Sequence, residues 1–123
     1  MDDQARQRVE LVEKMMKVIG AKWKPAIMYC LIHNGRMRFG ELRRAIPDVT
    51  QRILTLRLRE LERDGFISRH VVRTIPSHVE YEPTELGWEI HPFYRDLCHW
   101  AESRKDRLAQ ALDSDGEAPA ANG

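Results

Sequence analysis

The sequence predicts a mainly α fold carrying one small β-hairpin late in the chain (α+β). Three observations lead there. Apolar residues recur at helical spacing over most of the chain. The period changes to roughly two just after Gly65 and returns to helical after Gly87. The breaks between periodic segments carry Gly or Pro.

The first helix is predicted from Gln4 to Ile19, with Val9, Val12, Met16 and Ile19 on one face, and Gly20 breaks it. Lys22-Trp23-Lys24-Pro25 opens a second helix, where Pro25 is tolerated because first-turn amides have no intrahelical acceptor. Trp23, Ile27, Cys30 and Leu31 share its buried face, and Gly35 is its C-cap. Met37-Arg38-Phe39 reads as a short strand, followed by a third helix from Glu41 to about Ala45 that Pro47 ends. Thr50 is placed as N-cap of a fourth helix, Gln51 to Asp64, which Gly65 terminates. Phe66 to Arg73 forms a strand, Ile75 to His78 a basic hairpin tip, and Val79-Glu80-Tyr81 the returning strand. A final helix is expected from about Trp88 to Leu112, with Ile90, Phe93, Leu97, Trp100, Ala101, Leu108 and Leu112 as its apolar stripe. Residues 113–123, rich in Asp, Ala, Gly, Pro and Asn, are expected to be a disordered tail. Two helices joined by a short turn and followed by a hairpin are the plan of a winged helix-turn-helix. Residues 1–112 are read as one such domain, with N- and C-terminal dimerisation helices.

Composition excludes several classes. The chain has 123 residues, 42% hydrophobic and 32% charged, and no apolar run reaches the roughly 18 residues of a membrane span. Its start, Met1-Asp2-Asp3-Gln4, is acidic and lacks a signal-peptide pattern, so a cytoplasmic location is expected. Cys30 and Cys98 are too few and too distant for a disulfide framework or a zinc cage. The five histidines include no i,i+4 pair, and Cys98 and His99, as sequence neighbours on a helix, point about 100° apart. Neither catalysis nor a bound metal or cofactor is expected.

The net charge of +1 conceals an asymmetry. Ten arginines and five acids lie between Arg36 and Arg73, a local excess of +5 that leaves about −4 elsewhere. On the Gln51–Asp64 helix, Leu54, Leu58 and Leu61 fall within one narrow arc, the core face. Arg52, Thr55, Leu56, Arg59 and Arg63 lie opposite. That mixture suits a recognition helix in the major groove. Arginine grips guanine O6 and N7 in bidentate fashion, an aliphatic group meets a thymine methyl, and Gln51 in the first turn can read adenine. A plain solvated amphipathic face is the alternative for a lone helix; its place between turn and wing favours recognition. Arg69 and Arg73 on the first wing strand, and His78 at the tip, are candidates for phosphate or minor-groove contact. Arg38, Thr50 and Lys22 complete the candidate DNA-binding set, Lys22 because a helix N-terminus favours an anion.

The residue motifs resemble the HxlR-type branch of the MarR-like winged-helix regulators. Ile19-Gly20-Ala21-Lys22-Trp23 and Arg38-Phe39-Gly40-Glu41-Leu42-Arg43-Arg44-Ala45-Ile46-Pro47 begin the match. Leu54-Thr55, Leu58 to Gly65, Val79-Glu80-Tyr81, Thr84-Glu85-Leu86-Gly87 and Trp100 continue it in order, over roughly Val9 to Ala101. The resemblance implies a homodimer, assembled through its terminal helices, that regulates transcription from pseudo-palindromic operators. Many such proteins carry a sensing cysteine just ahead of the first helix; that position falls close to Glu10 here, so sensing through it is not expected. Their wing motif reads Pro-Pro-Arg-Val-Glu-Tyr, against Pro76-Ser77-His78-Val79-Glu80-Tyr81 here, which predicts a weaker or pH-dependent tip. Pro83 stands where leucine is frequent and is expected to shorten the second wing strand.

A dimer is also expected from area. A core of this size does not cover both the Val9, Val12, Met16 face and the Ile90, Phe93, Leu97, Trp100, Leu108 stripe, whereas a second copy would, placing recognition helices roughly 34 Å apart. A small-molecule effector pocket between subunits, lined by Met15, Met16, Trp23, Met28, Tyr29 and Trp100, is a weaker alternative to plain dimer core. The rival functional class is a winged-helix adaptor that binds protein rather than DNA; apolar or acidic residues at 52, 59 and 63 would have signalled it.

Overall fold

In the computed structural model, which describes residues 1–114, the elements run α1 (Asp3–Gly20), α2 (Lys24–Asn34), β1 (Met37–Arg38), α3 (Phe39–Ala45), α4 (Gln51–Arg63), β2 (Ile67–Val72), β3 (His78–Pro83), α5 (Glu85–Glu102) and α6 (Ala109–Asp113). Local chemistry sets most of these boundaries. Asp2 caps α1 by accepting from the Ala5 amide at 2.7 Å, and Thr50 caps α4 by accepting from Ile53 at 3.1 Å. Gly35 and Gly65 stop α2 and α4 at φ of 81° and 89°, a region that only glycine enters without steric cost.

The core lies between α2, α3, α4 and the inner face of the sheet. Ile27, Leu31, Leu42 and Leu54 are fully sealed, and Leu58 and Leu61 are nearly so. The arc of three leucines read from α4 is therefore its buried face, each contributing about 2 kcal/mol of apolar burial.

The wing has three strands in the order β1-β3-β2, because β1 pairs with β3 through Met37–Tyr81 and Arg38–Glu80. β3 does not stop short at Pro83, contrary to expectation. It pairs with β2 up to Ile67–Pro83, and β1 has no residue alongside at that position, so the missing N–H interrupts no ladder on that side. The next residue, Thr84, ties sheet to α5. Its amide donates to Phe66 O, its hydroxyl donates to Gly65 O at 2.6 Å, and the same oxygen accepts from the Gly87 amide at 3.1 Å. Gly87 packs directly on the Phe66 carbonyl, where a Cβ would collide with it.

The long terminal helix expected through Leu112 is divided. α5 ends at Glu102, a turn spans 103–108, and α6 follows. The cause is local competition for carbonyls. The Ser103 hydroxyl and the Arg104 guanidinium both donate to Trp100 O, and the Arg104 and Lys105 amides bond three residues back instead of four. Leu108 therefore stands half-buried in the turn and not on a continuous stripe. The tail reading also shifts, since Asp113 closes α6; from residue 115 onward it falls outside the described residues. Among those described, no helix is long and apolar enough to cross a membrane.

Candidate nucleic-acid interface

Alternation along β2 gives the wing two chemically different faces. Arg69 faces α4, Val71 follows on that side, and Arg73 lies one residue beyond the strand. Between this face and α4 runs an open groove of about 500 Å³, lined by Phe39, Gln51, Thr55, Arg59, Glu62, Arg69, Val79 and Tyr81. Two elements thus meet there, with Gln51, Thr55 and Arg59 from the helix and Arg69 from the wing. Glu62 is the acidic member of the lining.

The other face gathers the wing's carboxylates. Glu80 accepts from Arg36 Nε and contacts His78 Nε2, both at 2.6 Å. Glu82 contacts His70 Nε2 at 2.7 Å, with Arg36 at 3.9 Å. The His78 hydrogen bond, with help from Arg36, holds the Glu80 carboxyl below the usual carboxylate range. These contacts engage Glu80 and Glu82 on the side away from α4, while Arg69 lines the groove on the other.

The sequence-predicted residues sort unevenly. Arg52, Leu56, Arg59 and Arg63 are exposed on α4, and Leu56 keeps 45% of its surface. Arg63 is engaged by the neighbouring Asp64, Nε to Oδ1 at 3.1 Å. Thr50 spends its side-chain oxygen on the helix cap. Lys22 is exposed, with Nζ 5.0 Å from the Trp23 ring centroid, and α2 begins two residues beyond it. Arg38 is exposed on β1, and its amide donates to Glu41. His78 is the residue the structure moves. It is the first residue of β3, paired with Val72 and half-buried against Glu80, so the tip is formed by residues 73–77 without it. Its pairing with a carboxylate two residues away was not visible to a motif comparison centred on the loop.

Sequence reasoning missed the roles of Arg57 and Lys24. Arg57 counted only as one more basic residue, yet it is 9% exposed, donates from Nε to Lys22 O at 3.0 Å, and pairs with Glu60 at 2.7 Å. A signal existed: Arg57 stands three residues after Leu54 and four before Leu61, which puts it on the core side of the helix.

The other candidates fall elsewhere. Val9, Val12 and Met16 of α1 and Phe93, Leu97 and Trp100 of α5 are all exposed, whereas Ile90 packs partly against the chain's own core. Met28 is sealed in that core and Tyr29 stacks on His33 at the surface. Cys30 is half-buried, which pushes its thiol pKa up; Cys98 is exposed, its thiol pKa raised by the hydrogen bond it donates to Glu102. No group of three or more potential metal ligands occurs among the described residues.

A helix-turn-helix with a three-stranded wing and a basic groove between wing and second helix defines a winged-helix regulator. The chain belongs to the HxlR-like helix-turn-helix family, whose pattern it matches over residues 18–109. It is 47% identical over 97 residues to the HTH-type transcriptional regulator YdeP of Bacillus subtilis (strain 168), covering 79% of this chain and 75% of that one. Among solved structures it is similar to the redox regulator HypR in its reduced form, with a TM-score of 0.73 at 45% identity over 80% of this chain and 97% of that one. A MarR-family regulator from Enterococcus faecalis V583 matches with a TM-score of 0.72 at 36% identity, over 89% and 94% of the two chains. The chain is thus a transcriptional regulator of helix-turn-helix fold, in a family of regulators and not of enzymes.

Proposed function

We propose that this regulator binds DNA sequence-specifically as a homodimer, on pseudo-palindromic operators in the cytoplasm, with residues 1–112 acting as one domain. α4 enters the major groove, where Arg52 and Arg59 meet base edges with Gln51, Thr55 and Leu56 beside them. Arg69 and Arg73 bring the wing to phosphates or the adjacent minor groove and set register more than sequence. The observation that carries this reading is the shared groove: Arg59 of the helix and Arg69 of the wing line it together, while Glu80 and Glu82 are paired off on the opposite side. The exposed apolar faces of α1 and α5 support assembly of two copies, because isolated chains rarely leave so many large side chains in water.

The test is a salt titration of binding to a labelled duplex from upstream of the protein's own gene, beside a random duplex. Tighter binding to the upstream duplex, with log affinity falling steeply against log salt, is the expected result. Equal affinity for both would reduce the reading to non-specific binding. No binding to either at about 50 mM salt would overturn it in favour of a protein-binding adaptor or an effector-dependent switch.

A further inference from the structure

The C-terminal end of α1 is held by side chains from three other elements. Lys24 of α2, 3% exposed, donates from Nζ to Val18 O at 3.0 Å. Tyr94 of α5 donates its hydroxyl to Ile19 O, and Arg57 of α4 donates to Lys22 O in the following turn. The last carbonyls of a helix have no intrahelical partner, so these oxygens are natural attachment points. Two of the three clamps are linked to each other. Glu60 of α4 accepts from Arg57 at 2.7 Å and lies 3.9 Å from Lys24 Nζ, making a triad with two cations and one carboxylate.

Stability does not account for such a group. Withdrawing ions from water costs about as much as their pairing returns, and apolar replacements of similar volume are often neutral or stabilising. What the triad supplies is direction. A guanidinium fork that meets a fixed carbonyl and a fixed carboxylate together admits few orientations of the helix that carries it. Arg57 also stands apart from its neighbours on α4, since Arg52, Arg59 and Arg63 are exposed while it faces the α1–α2 turn.

We propose that the Lys24–Glu60–Arg57 triad is a joint that fixes α4 against the end of α1, and thereby sets the half-site spacing the regulator accepts. The inference rests on the DNA-binding reading above. If two copies meet through α1 and α5, the separation of their recognition helices depends on the angle each α4 makes with its own α1. One base pair of spacing is only about 3.4 Å, so a loosened joint is felt as tolerance of neighbouring spacings. The three are positioning residues, acting through α4 and not by touching DNA.

The experiment compares the full-length protein with the variant Lys24→Met, Arg57→Met, Glu60→Met in two measurements. The first is the distance distribution between spin labels at Glu13→Cys and Glu62→Cys, with Cys30 and Cys98 replaced by serine and labelled chains diluted in unlabelled ones. The second is affinity for duplexes whose two half-sites are moved apart in single base-pair steps. The triple variant is expected to keep its melting temperature and broaden the label distribution. Its preference for the best spacing over the next is expected to fall from about tenfold to about threefold or less. An unchanged label distribution would overturn the joint, whatever the DNA does. A broadened distribution with an unchanged spacing profile would overturn its link to spacing. If the unmodified protein prefers no duplex, the DNA-binding reading and the spacing link fail together, and the label width alone decides whether the joint exists. Should the triple variant lose its fold, Arg57→Lys keeps the buried charge without the fork, and wild-type behaviour in both measurements would likewise overturn the proposal.

Discussion

The Tyr94 hydroxyl donates a 2.6 Å hydrogen bond to the Ile19 carbonyl, 75 residues earlier in the chain. It pins α5 to the last turn of α1, so the two helices that expose the largest apolar faces are fixed to each other within one copy. Burial pushes the Tyr94 phenol up to about 12, which keeps it protonated and donating over the ordinary pH range.

Tyr94→Phe is therefore expected to destabilise the protein by about 1 kcal/mol, lowering the melting temperature by about 4 °C. The pH dependence has a definite sign. The folded pKa lies above the unfolded value near 10, so this contribution is complete below about pH 10 and is lost as pH rises toward 12. Absorbance titration at alkaline pH should show a phenol that ionises near 12 disappear in the variant. Persistence of that ionisation in the variant would refute the assignment.

Gly87→Ala is expected to cost about 2–3 kcal/mol, because the new methyl group would overlap the Phe66 carbonyl and press on Met28 Cε at 3.2 Å. Gly40→Ala serves as the control, since its nearest neighbour is the flexible end of Arg44 at 3.5 Å. Similar denaturant midpoints for the two variants would show that the close approach at Gly87 relaxes cheaply.

Alanine at Arg52 or Arg59 should weaken binding to a specific site by about 1–3 kcal/mol and relax sequence preference. Arg73→Ala should weaken all duplexes alike and reduce the salt slope by about one unit. Equal losses on specific and random DNA for all three would sink this division between base reading and phosphate contact.

Phe93, Leu97 and Trp100 stand at i, i+4 and i+7 on α5, each about half exposed. Leu97→Glu should convert the sedimenting species from dimer to monomer and remove any dependence of melting temperature on protein concentration. A variant that still sediments as the unmodified protein does would place the contact between copies elsewhere.

Much of the fold was legible because its determinants are local. Thr50, Gly35 and Gly65 act within a few residues of the ends they set, and Leu54, Leu58 and Leu61 announce the core face of α4 by spacing alone. Where the reading failed, competing local bonds or distant partners decided. Ser103 and Arg104 draw on the Trp100 carbonyl and divide a helix whose apolar pattern runs on to Leu112. Pro83 keeps its place in β3 because β1 does not reach it. His78 is a strand residue and not a tip residue because it pairs with Val72 of β2.

The sequence by itself determined that this chain is a winged-helix regulator with one helix apolar on one side and arginine-rich on the other. Periodicity, caps and breakers act over a turn or two, and those ranges are written directly in the order of residues. Only the tertiary structure decided which arginines are free. Arg57 meets the Lys22 carbonyl 35 residues away, Arg36 meets Glu80 across 44, and Arg59 and Arg69 line one groove because strand register turns Arg69 toward α4. The charges are countable in the chain. Their partners become neighbours only when separate elements pack, because an ion pair or hydrogen bond is fixed by distance in space and not by distance along the sequence.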